Sequence, residues 1–449
     1  MPIFNNKIKF FIKNIMKKNI VIIYGSKSTE HDISILTALQ TYNAIDKQKY
    51  NVDLVYITHN GKWLIGPKLA DINFYVRVNE KKCKEVCILP CSNFLYVKKF
   101  GGFKMCKKID CAVLCLHGKN GEDGTIQGLL ELSNIPYTSS GVLGSAVGID
   151  KITMKEIFAY NDIPIVEHIV LNKNEFINKK FKTKDITNKI KYPLIIKPNK
   201  LGSSIGLSLA KNAQELKSGL DLAFMFDDKV IIEKAVKNLK EVNISVLGDS
   251  EYCEISVSEE VQNKGGLLSF EKKYLANNSA KTTAKCTKLH KKSSKIDKNY
   301  KNFDNYNLKK KKNEVEFFNN NEKFDNSNCN NSGTKNGMQN LNRIIPANIT
   351  TEQANEIQSL AKKIFGITNS SGVVRIDFMI DTKTGKVYAN EINTIPGSLA
   401  FYLWEQSGLP FEKLIDKMIE IAEAENLKKN RLLTTFSSSV LGNNNGAQK

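Results

Sequence analysis

The chain has no apolar run approaching the roughly eighteen residues needed to cross a bilayer, which excludes a helical membrane span. Its amino terminus also lacks the features of a secretory signal. Lys13, Lys17 and Lys18 interrupt the apolar stretch between Met1 and Ile23, and no small-residue cleavage site follows. A cytoplasmic protein is expected, with Met16 as an alternative start to Met1. Nine cysteines are present, but no Cys-x-x-Cys pair. Cys83, Cys87 and Cys91 are spaced four apart, as are Cys111 and Cys115, which argues against a zinc site and for free thiols in a reducing compartment. There is no Walker A sequence, helix-turn-helix, zinc finger or aromatic-plus-basic platform. The net charge of +20 therefore needs another source than nucleic acid or an anionic membrane. Part of it is concentrated in one segment, 276–343, which holds 15 Lys and Arg against 6 Asp and Glu.

What remains is ordinary for a globular chain of 449 residues, 41% hydrophobic and 25% charged, and long enough for two or three domains. Asn19 to Tyr24 and Val52 to Ile57 read as strands, Ile33 to Ile45 as a helix, and Ile109 to Leu116 as a further apolar strand. Ile126 to Leu132 is helical and Ile135 to Tyr137 starts a short strand. This alternation predicts an α/β domain over 1–139 with a mostly parallel sheet and functional loops at the carboxyl ends of its strands. A second unit, 140–232, contains the helix Lys151 to Tyr160 and strands at Tyr192 to Lys197 and Val230 to Glu233. A third, 233–432, contains strands at Asn243 to Leu247, Cys253 to Val257, Val373 to Ile380 and Val387 to Ile392. It ends in a helix from Phe411 to Leu427. The Asn- and Lys-rich segment 276–343 interrupts this unit and reads as a disordered insertion, after which Thr351 is expected to cap a helix reaching Phe365. A tail, 433–449, is also read as disordered.

The most informative stretch is Arg375-Ile376-Asp377 followed by Glu391-Ile392-Asn393. Side chains alternate along a strand, so Arg375 and Asp377 share a face, as do Glu391 and Asn393, with Thr384-Gly385 turning the hairpin. Two carboxylates and an amide oxygen form a hard donor set suited to Mg²⁺, which takes its remaining ligands from water and phosphate. Lys197 ends a buried strand ahead of Gly202-Ser203-Ser204-Ile205-Gly206, a pattern that can cradle an anion. Ile231-Ile232-Glu233-Lys234 ends another strand with charge, and Glu241 follows. His117-Gly118 and Gly121-Glu122-Asp123-Gly124 form a polar loop, and Glu30 lies in another. Taken singly, the last three read as readily as solvated strand ends and loops.

In order, these segments resemble the D-alanine–D-alanine ligase pattern of the ATP-grasp family. The matching pieces are Ser28 to Ser34, His117 to Gly128, Ser140 to Lys151, Lys197 to Gly206, Ile232 to Lys234 and Glu241 to Gly248. They continue with Glu271 to Tyr274, Ile345-Pro346-Ala347, Arg375 to Asp377 and Glu391 to Gly397. The resemblance spans nearly the whole chain apart from the first fifteen or so residues, the insertion and the tail. It implies a three-domain ATP-grasp architecture with an N-terminal Rossmann-like domain. The implied activity is ATP-dependent ligation of two D-alanines for peptidoglycan synthesis, in a homodimer without nucleic-acid or membrane partners. By the same resemblance Lys151 and Lys197 contact the ATP phosphates and Lys273 the γ-phosphate. Glu233, Lys234 and Ala235 lie at the adenine and Glu241 at the ribose. Asp377, Glu391 and Asn393 hold two Mg²⁺ ions, with Mn²⁺ able to substitute. Glu30 receives the ammonium of the first D-alanine, His117 lies near its carboxylate, and Ser203 and Tyr274 close over the site through Glu30. Arg375 and the Gly397 N–H stabilise the tetrahedral intermediate.

The chain departs from this pattern at one functional place and is interrupted at another. The family commonly places Ser-Leu a few residues beyond Pro-Gly, where the second substrate's carboxylate is held. Here Tyr402-Leu403 falls at that spacing, while Ser398-Leu399 matches the letters. The insertion begins just after Tyr274, in or beside the lid. Two other readings stand beside this one, the first within the same class of function and the second from another. One is a related ligase that uses D-serine or another second substrate. The other is a catalytically impaired nucleotide-binding homologue, against which retention of Lys273, Arg375, Asp377, Glu391 and Asn393 speaks.

Overall fold

The computed structural model describes residues 17–178, 183–262 and 343–435. Lys273, Tyr274 and nearly all of the 276–343 segment lie outside the described residues, as does most of the tail.

The first sheet is built around β1 (Lys18–Gly25), whose apolar Ile20 to Tyr24 run is buried on both faces, as a central parallel strand must be. Helix α1 (His31–Ala44) follows, then β2 (Tyr50–Ile57), β3 (Trp63–Ile65), β4 (Lys84–Ile88), β5 (Phe94–Lys99), β6 (Gly102–Lys108), β7 (Cys111–Leu114) and α2 (Thr125–Leu132). The strand order is β6-β5-β4-β3-β2-β1-β7. Only β2-β1-β7 pair in parallel, and β3 to β6 extend the sheet antiparallel. The sheet is therefore less parallel than the sequence suggests, because short strands such as Trp63–Ile65 and the wholly exposed or half-exposed β6 carry little apolar periodicity. The short strand expected at Ile135 to Tyr137 is a single bridge from Tyr137 to Ala112. Ser34 Oγ accepts from the Gly25 N–H (2.7 Å) and donates to the Cys115 carbonyl (2.6 Å), tying α1 to the carboxyl ends of β1 and β7.

Helices α3 (Val142–Ile149) and α4 (Lys151–Tyr160) lead into a four-stranded antiparallel sheet. Its strands are β8 (His168–Asn172), β9 (Leu194–Pro198), β10 (Ser208–Ala210) and β11 (Lys229–Lys234), in the order β10-β9-β11-β8. Helices α5 (Lys173–Ile177), α6 (Thr183–Lys189) and α7 (Ala213–Ala223) complete this region, whose core includes Leu171, Leu194, Ile196, Leu216, Leu220 and Val230.

The third sheet has the order β14-β13-β12-β15-β16. Its strands are β12 (Leu239–Gly248), β13 (Cys253–Val261), β14 (Arg343–Ile344), β15 (Gly372–Asp381) and β16 (Val387–Asn393). Helix α8 (Thr351–Ile367) precedes β15, and its cap is Thr350, not Thr351. Thr350 Oγ1 accepts from the Gln353 N–H in a reciprocal capping box. Val242, Ile244, Val246, Val374, Ile376 and Phe378 face a core shared with α8 and with Met154 and Phe158 of α4. Helices α9 (Phe401–Gln406) and α10 (Phe411–Asn430) close the chain, and Trp404, Leu414, Met418 and Ile419 pack into the core of the first sheet. Among the described residues no helix is long and apolar enough to cross a membrane.

Candidate active site

The face of the third sheet opposite its apolar core is polar because of strand register. Asn243 on β12 pairs with Glu259 on β13 and with Asp377 on β15, and Asp377 pairs with Glu391 on β16. One row therefore carries three carboxylates and an amide. The adjacent row carries Arg375 opposite Asn393. Arg375 donates to Asp377 through Nε (2.6 Å) and Nη2 (2.8 Å), and Asn393 Nδ2 donates to Asp377 Oδ2 (3.2 Å). A bulge in β16 leaves Asn390 without a partner on β15, since Asp377 faces Glu391 and Phe378 faces Ala389. The extra residue frees Asn390 Oδ1 to accept from Lys197 Nζ (3.1 Å) on the second sheet.

Lysines converge on this row. Lys151, at the first position of α4, lies 3.6 Å from Glu391 Oε2 and donates to the Leu201 carbonyl (2.9 Å). Lys197, at the end of β9, lies 2.7 Å from Glu233 Oε2, and Lys155 lies 3.0 Å from Glu233 Oε1. All three side chains of that triad are buried. Burial would raise the Glu233 carboxyl, but the two ammonium groups outweigh it and hold it at about 2. Burial works against the charge on Lys155, whereas at Lys197 the surrounding carboxylates, Glu233 foremost and then Glu391, together outweigh burial. Beyond Glu233, Lys234 is exposed and 3.2 Å from Glu167, the Ala235 N–H donates to the Pro193 carbonyl (3.0 Å), and Glu241 is half-buried on β12.

A second cluster joins the loops after β1 and β7. Glu30, immediately before α1, accepts from Ser203 Oγ. Ser203 and Ser204 both adopt left-handed backbone (φ +52° and +58°), which turns the Gly-Ser loop back toward Glu30. Gly118 stands between two carboxylates. Its N–H donates to Glu122 Oε2 (2.7 Å), and a Cβ on it would lie 2.6 Å from Glu30 Oε2. Glu122 Oε1 accepts from the Ile395 N–H (3.1 Å). Burial and the neighbouring Glu30 charge raise the Glu122 carboxyl to about 8, against the pull of those two N–H groups. His117 is buried, and burial chiefly lowers it to about 4, so the ring is neutral. Its Nε2 meets Thr37 Oγ1 (2.9 Å), and Thr37 Oγ1 accepts from the Ser398 N–H (3.1 Å). His117 thus reaches the turn that follows Gly397, where Ser398, Leu399 and Ala400 are all left-handed (φ +54°, +52° and +51°).

The sequence reading assigned no role to Lys155, Glu122, Asn390, Glu259 or Arg343. Lys155 had one available signal, its position four residues after Lys151 on the same helix face. Around the Tyr402 departure, the hydroxyl donates to Glu259 Oε1 (2.8 Å) and the Arg343 guanidinium lies 4.2 Å over the ring. Ser398 and Leu399 are instead buried. Among the described residues His31, Asp32 and His59 also bring ligand-type atoms within 4.8 Å of one another. The two rings stack at 3.7 Å and 24°, which sets their nitrogen lone pairs side by side, and His31 already contacts Ser26 and Tyr56 through its two nitrogens. That group is not arranged as a metal cage.

The donor set on this polar face, drawn from two adjacent rows, fits a hard divalent cation. Asp377, Glu391 and Asn393 offer two carboxylates and an amide from adjacent strands, and Asn393 commits Nδ2 to Asp377, which leaves its Oδ1 as acceptor.

Two family models match the chain, described as D-ala D-ala ligase N-terminus over residues 19–140 and D-ala D-ala ligase C-terminus over 157–323 and 309–420. A D-alanine–D-alanine ligase of Thermosipho africanus is 35% identical over 92% of this chain and 96% of its own length. That of Bacillus pumilus is 32% identical over 94% and 100%. Among solved structures, the D-alanine–D-alanine ligase of Coxiella burnetii shares the fold with a TM-score of 0.66 at 23% identity, covering 92% of this chain and 96% of that one. The VanG D-Ala:D-Ser ligase of Enterococcus faecalis does so with a TM-score of 0.67 at 24% identity, covering 91% and 100%.

Proposed function

The chain belongs to the D-alanine–D-alanine ligase family, and from that premise we propose how its own residues divide the work of joining two D-alanines at the expense of ATP. The observation that carries this reading is the approach of Lys151 to Glu391 (3.6 Å), which brings a phosphate-binding cation to an acidic row.

Lys151 and Lys197 hold the ATP phosphates, with Lys273 at the γ-phosphate. The adenine lies against Glu233, Lys234 and Ala235, and Glu241 takes the ribose hydroxyls. Asp377, Glu391 and Asn393 would hold Mg²⁺, two ions with Mn²⁺ able to replace them, and such a metal neutralises charge on the phosphates when bound. Glu30 receives the ammonium of the first D-alanine, and neutral His117 stands at its carboxylate without charge competition from a second cation. Ser203 and Tyr274 close over the site through Glu30. The chemistry needs an activated acyl group, because a carboxylate is a poor electrophile. A carboxylate oxygen of the first D-alanine attacks the γ-phosphorus, an O–P bond forms and ADP leaves. The amine of the second D-alanine then attacks the acyl carbon, its surplus proton is lost, and phosphate departs. Arg375 and the Gly397 N–H receive the oxyanion formed between those events. Exclusion of water protects the acyl phosphate from hydrolysis.

The same reading includes the three-part division 1–139, 140–232 and 233–432, a homodimer and a cytoplasmic location, where peptidoglycan precursors are made. The test is phosphate release from ATP and D-alanine with mass analysis of the product. Dipeptide, ADP and phosphate in equal amounts are expected, and folded protein that forms no dipeptide with saturating substrates would remove the reading.

A further inference from the structure

Two lysines from different elements have to meet one chain of phosphates, so the spacing between those elements is part of the site. Resting on the ligase reading above, we propose that Asn199 is a positioning residue of the phosphate site. It ties the start of α4, which carries Lys151, to the end of β9, which carries Lys197, and so sets the separation of the two cations.

Asn199 directly follows β9 and is fully buried. Its polar groups divide between two elements. The N–H donates to the Lys229 carbonyl at the start of β11 (3.1 Å). Both acceptors face α4, where the backbone carbonyl takes the Lys151 N–H (3.3 Å) and Oδ1 takes the Ile152 N–H (3.0 Å). The next two residues reinforce the joint. The Lys200 N–H donates to Asp227 Oδ2 (2.7 Å), the Lys200 ammonium lies 3.4 Å from Asp150 Oδ2, and Lys151 Nζ donates to the Leu201 carbonyl (2.9 Å).

A helix leaves its first amides without partners inside the helix. In α4 the local cap serves the third of them, since Asp150 Oδ1 accepts from the Thr153 N–H (3.0 Å). The first two, on Lys151 and Ile152, go to Asn199. Any residue at 199 would offer the backbone carbonyl, and that bond is the longer of the pair. The side-chain oxygen adds the second. Two bonds from one residue to consecutive amides fix the rotation of the helix start as well as its distance. Lys197 is held from the other side, by Glu233 (2.7 Å) and Asn390 (3.1 Å), so the joint at Asn199 decides where Lys151 stands relative to it. With no exposed surface and both acceptors on α4, Asn199 acts through Lys151 and not by touching the nucleotide. Glu233, Lys234, Ala235 and Glu241, assigned to base and sugar, lie on or beside β11 and β12 instead, and Lys155 meets Glu233 one turn further along α4. Loss of the Asn199 side chain should therefore loosen the grip on phosphate and spare the grip on base and sugar.

The test uses the full chain with Mg²⁺ and calorimetric titration by ADP and by adenosine, which has the base and sugar but no phosphate. Asn199→Ala removes Oδ1, and it should weaken ADP at least about fivefold, the scale of one lost hydrogen bond, while adenosine stays within about twofold. Asn199→Ser, whose hydroxyl is too short to reach the Ile152 N–H, should show the same split and carries the test alone if Asn199→Ala does not fold. An unmoved ADP affinity in the folded variant overturns the inference. So does an equal loss for ADP and adenosine, which is what a general disturbance of the cleft would give. Wild-type protein that binds no ADP and forms no dipeptide overturns the ligase reading and this inference with it. Wild-type dipeptide formation with ADP affinity unmoved in the variants overturns this inference alone.

Discussion

Lys155 Nζ and Glu233 Oε1 stand 3.0 Å apart with side chains only 1% and 2% exposed, and Glu233 simultaneously serves Lys197 at 2.7 Å through its other oxygen. One buried anion thus compensates two buried cations, and the three positions are not equivalent. Glu233→Gln leaves two ammonium groups facing each other in a low dielectric and is expected to destabilise the fold by about 3–5 kcal/mol. Lys155→Met leaves Glu233 paired with Lys197 and removes a cation whose burial is unfavourable, so its cost is expected to be much smaller. Urea unfolding of the two variants checks the asymmetry, and equal losses would show that Lys155 is as indispensable as its partner.

Glu391 links the two halves of the proposed phosphate site, facing Asp377 across the strand pair and lying 3.6 Å from Lys151. Glu391→Gln keeps the shape and removes the charge. Turnover is expected to fall by at least about a hundredfold, since the lost charge belongs to the site that stabilises phosphoryl transfer. The thermal midpoint should change little, because Glu391 is half-buried at the cleft and the apolar face of β16 is untouched. Near-normal turnover in a single-variant assay would remove Glu391 from the metal site.

The legible parts of this molecule were those governed by short periods. Alternation along a strand put Arg375 with Asp377 and Glu391 with Asn393, and the observed register pairs them across β15 and β16. Apolar runs located β1, β2, β9, β11 and the two strands of that hairpin to within two residues. What escaped depended on contacts between elements. Lys155 looks like any lysine on an amphipathic helix until β11 brings Glu233 against it. Glu259 lies in a mixed polar and apolar stretch of β13, and only register with Asn243 reveals that it continues the acidic row. Asn390 depends on a bulge, which shifts the alternation by one residue and leaves no local mark in Ala389-Asn390-Glu391. The antiparallel extension β3 to β6 leaves no clear apolar period in the sequence because its strands are short or exposed. The cap of α8 falls one residue before the expected Thr351 because two threonines stand side by side, and it is Thr350 that accepts from Gln353.

Gly118 tests whether the first-substrate seat lies between Glu30 and Glu122. Its φ of +67° disfavours any side chain, and a Cβ would lie 2.6 Å from Glu30 Oε2 and 2.7 Å from Ser28 Oγ. Gly118→Ala should therefore push the Glu30 carboxylate off its position and raise the half-saturation constant for the first D-alanine at least tenfold. The second constant should move less. A first constant within twofold of wild type, measured on folded protein, would place the ammonium elsewhere.

Glu122 gives that seat a pH dependence. Burial first, and then the Glu30 charge, raise its carboxyl to about 8, well above its ordinary range, while the Gly118 and Ile395 N–H groups hold it back. Between about pH 4.5 and 8 the folded chain therefore binds more protons at this carboxyl than the unfolded chain does. Its contribution to stability is fully present at the acid end and is lost as pH rises through 8. Substrate binding has the opposite sign. An ammonium arriving beside Glu30 and Glu122 favours the ionised pair, so D-alanine binding below pH 8 releases a proton. The first half-saturation constant should fall as pH rises from 6 to 8, by at most about tenfold per unit for a single proton. Glu122→Gln removes the titrating group and should flatten that profile. Calorimetry in buffers of different ionisation enthalpy provides the independent reading: wild type should show proton release at pH 7 and Glu122→Gln should show none. A sloping profile that survives in Glu122→Gln would assign the proton to another group and leave Glu122 as a brace for the Gly118 and Ile395 backbone.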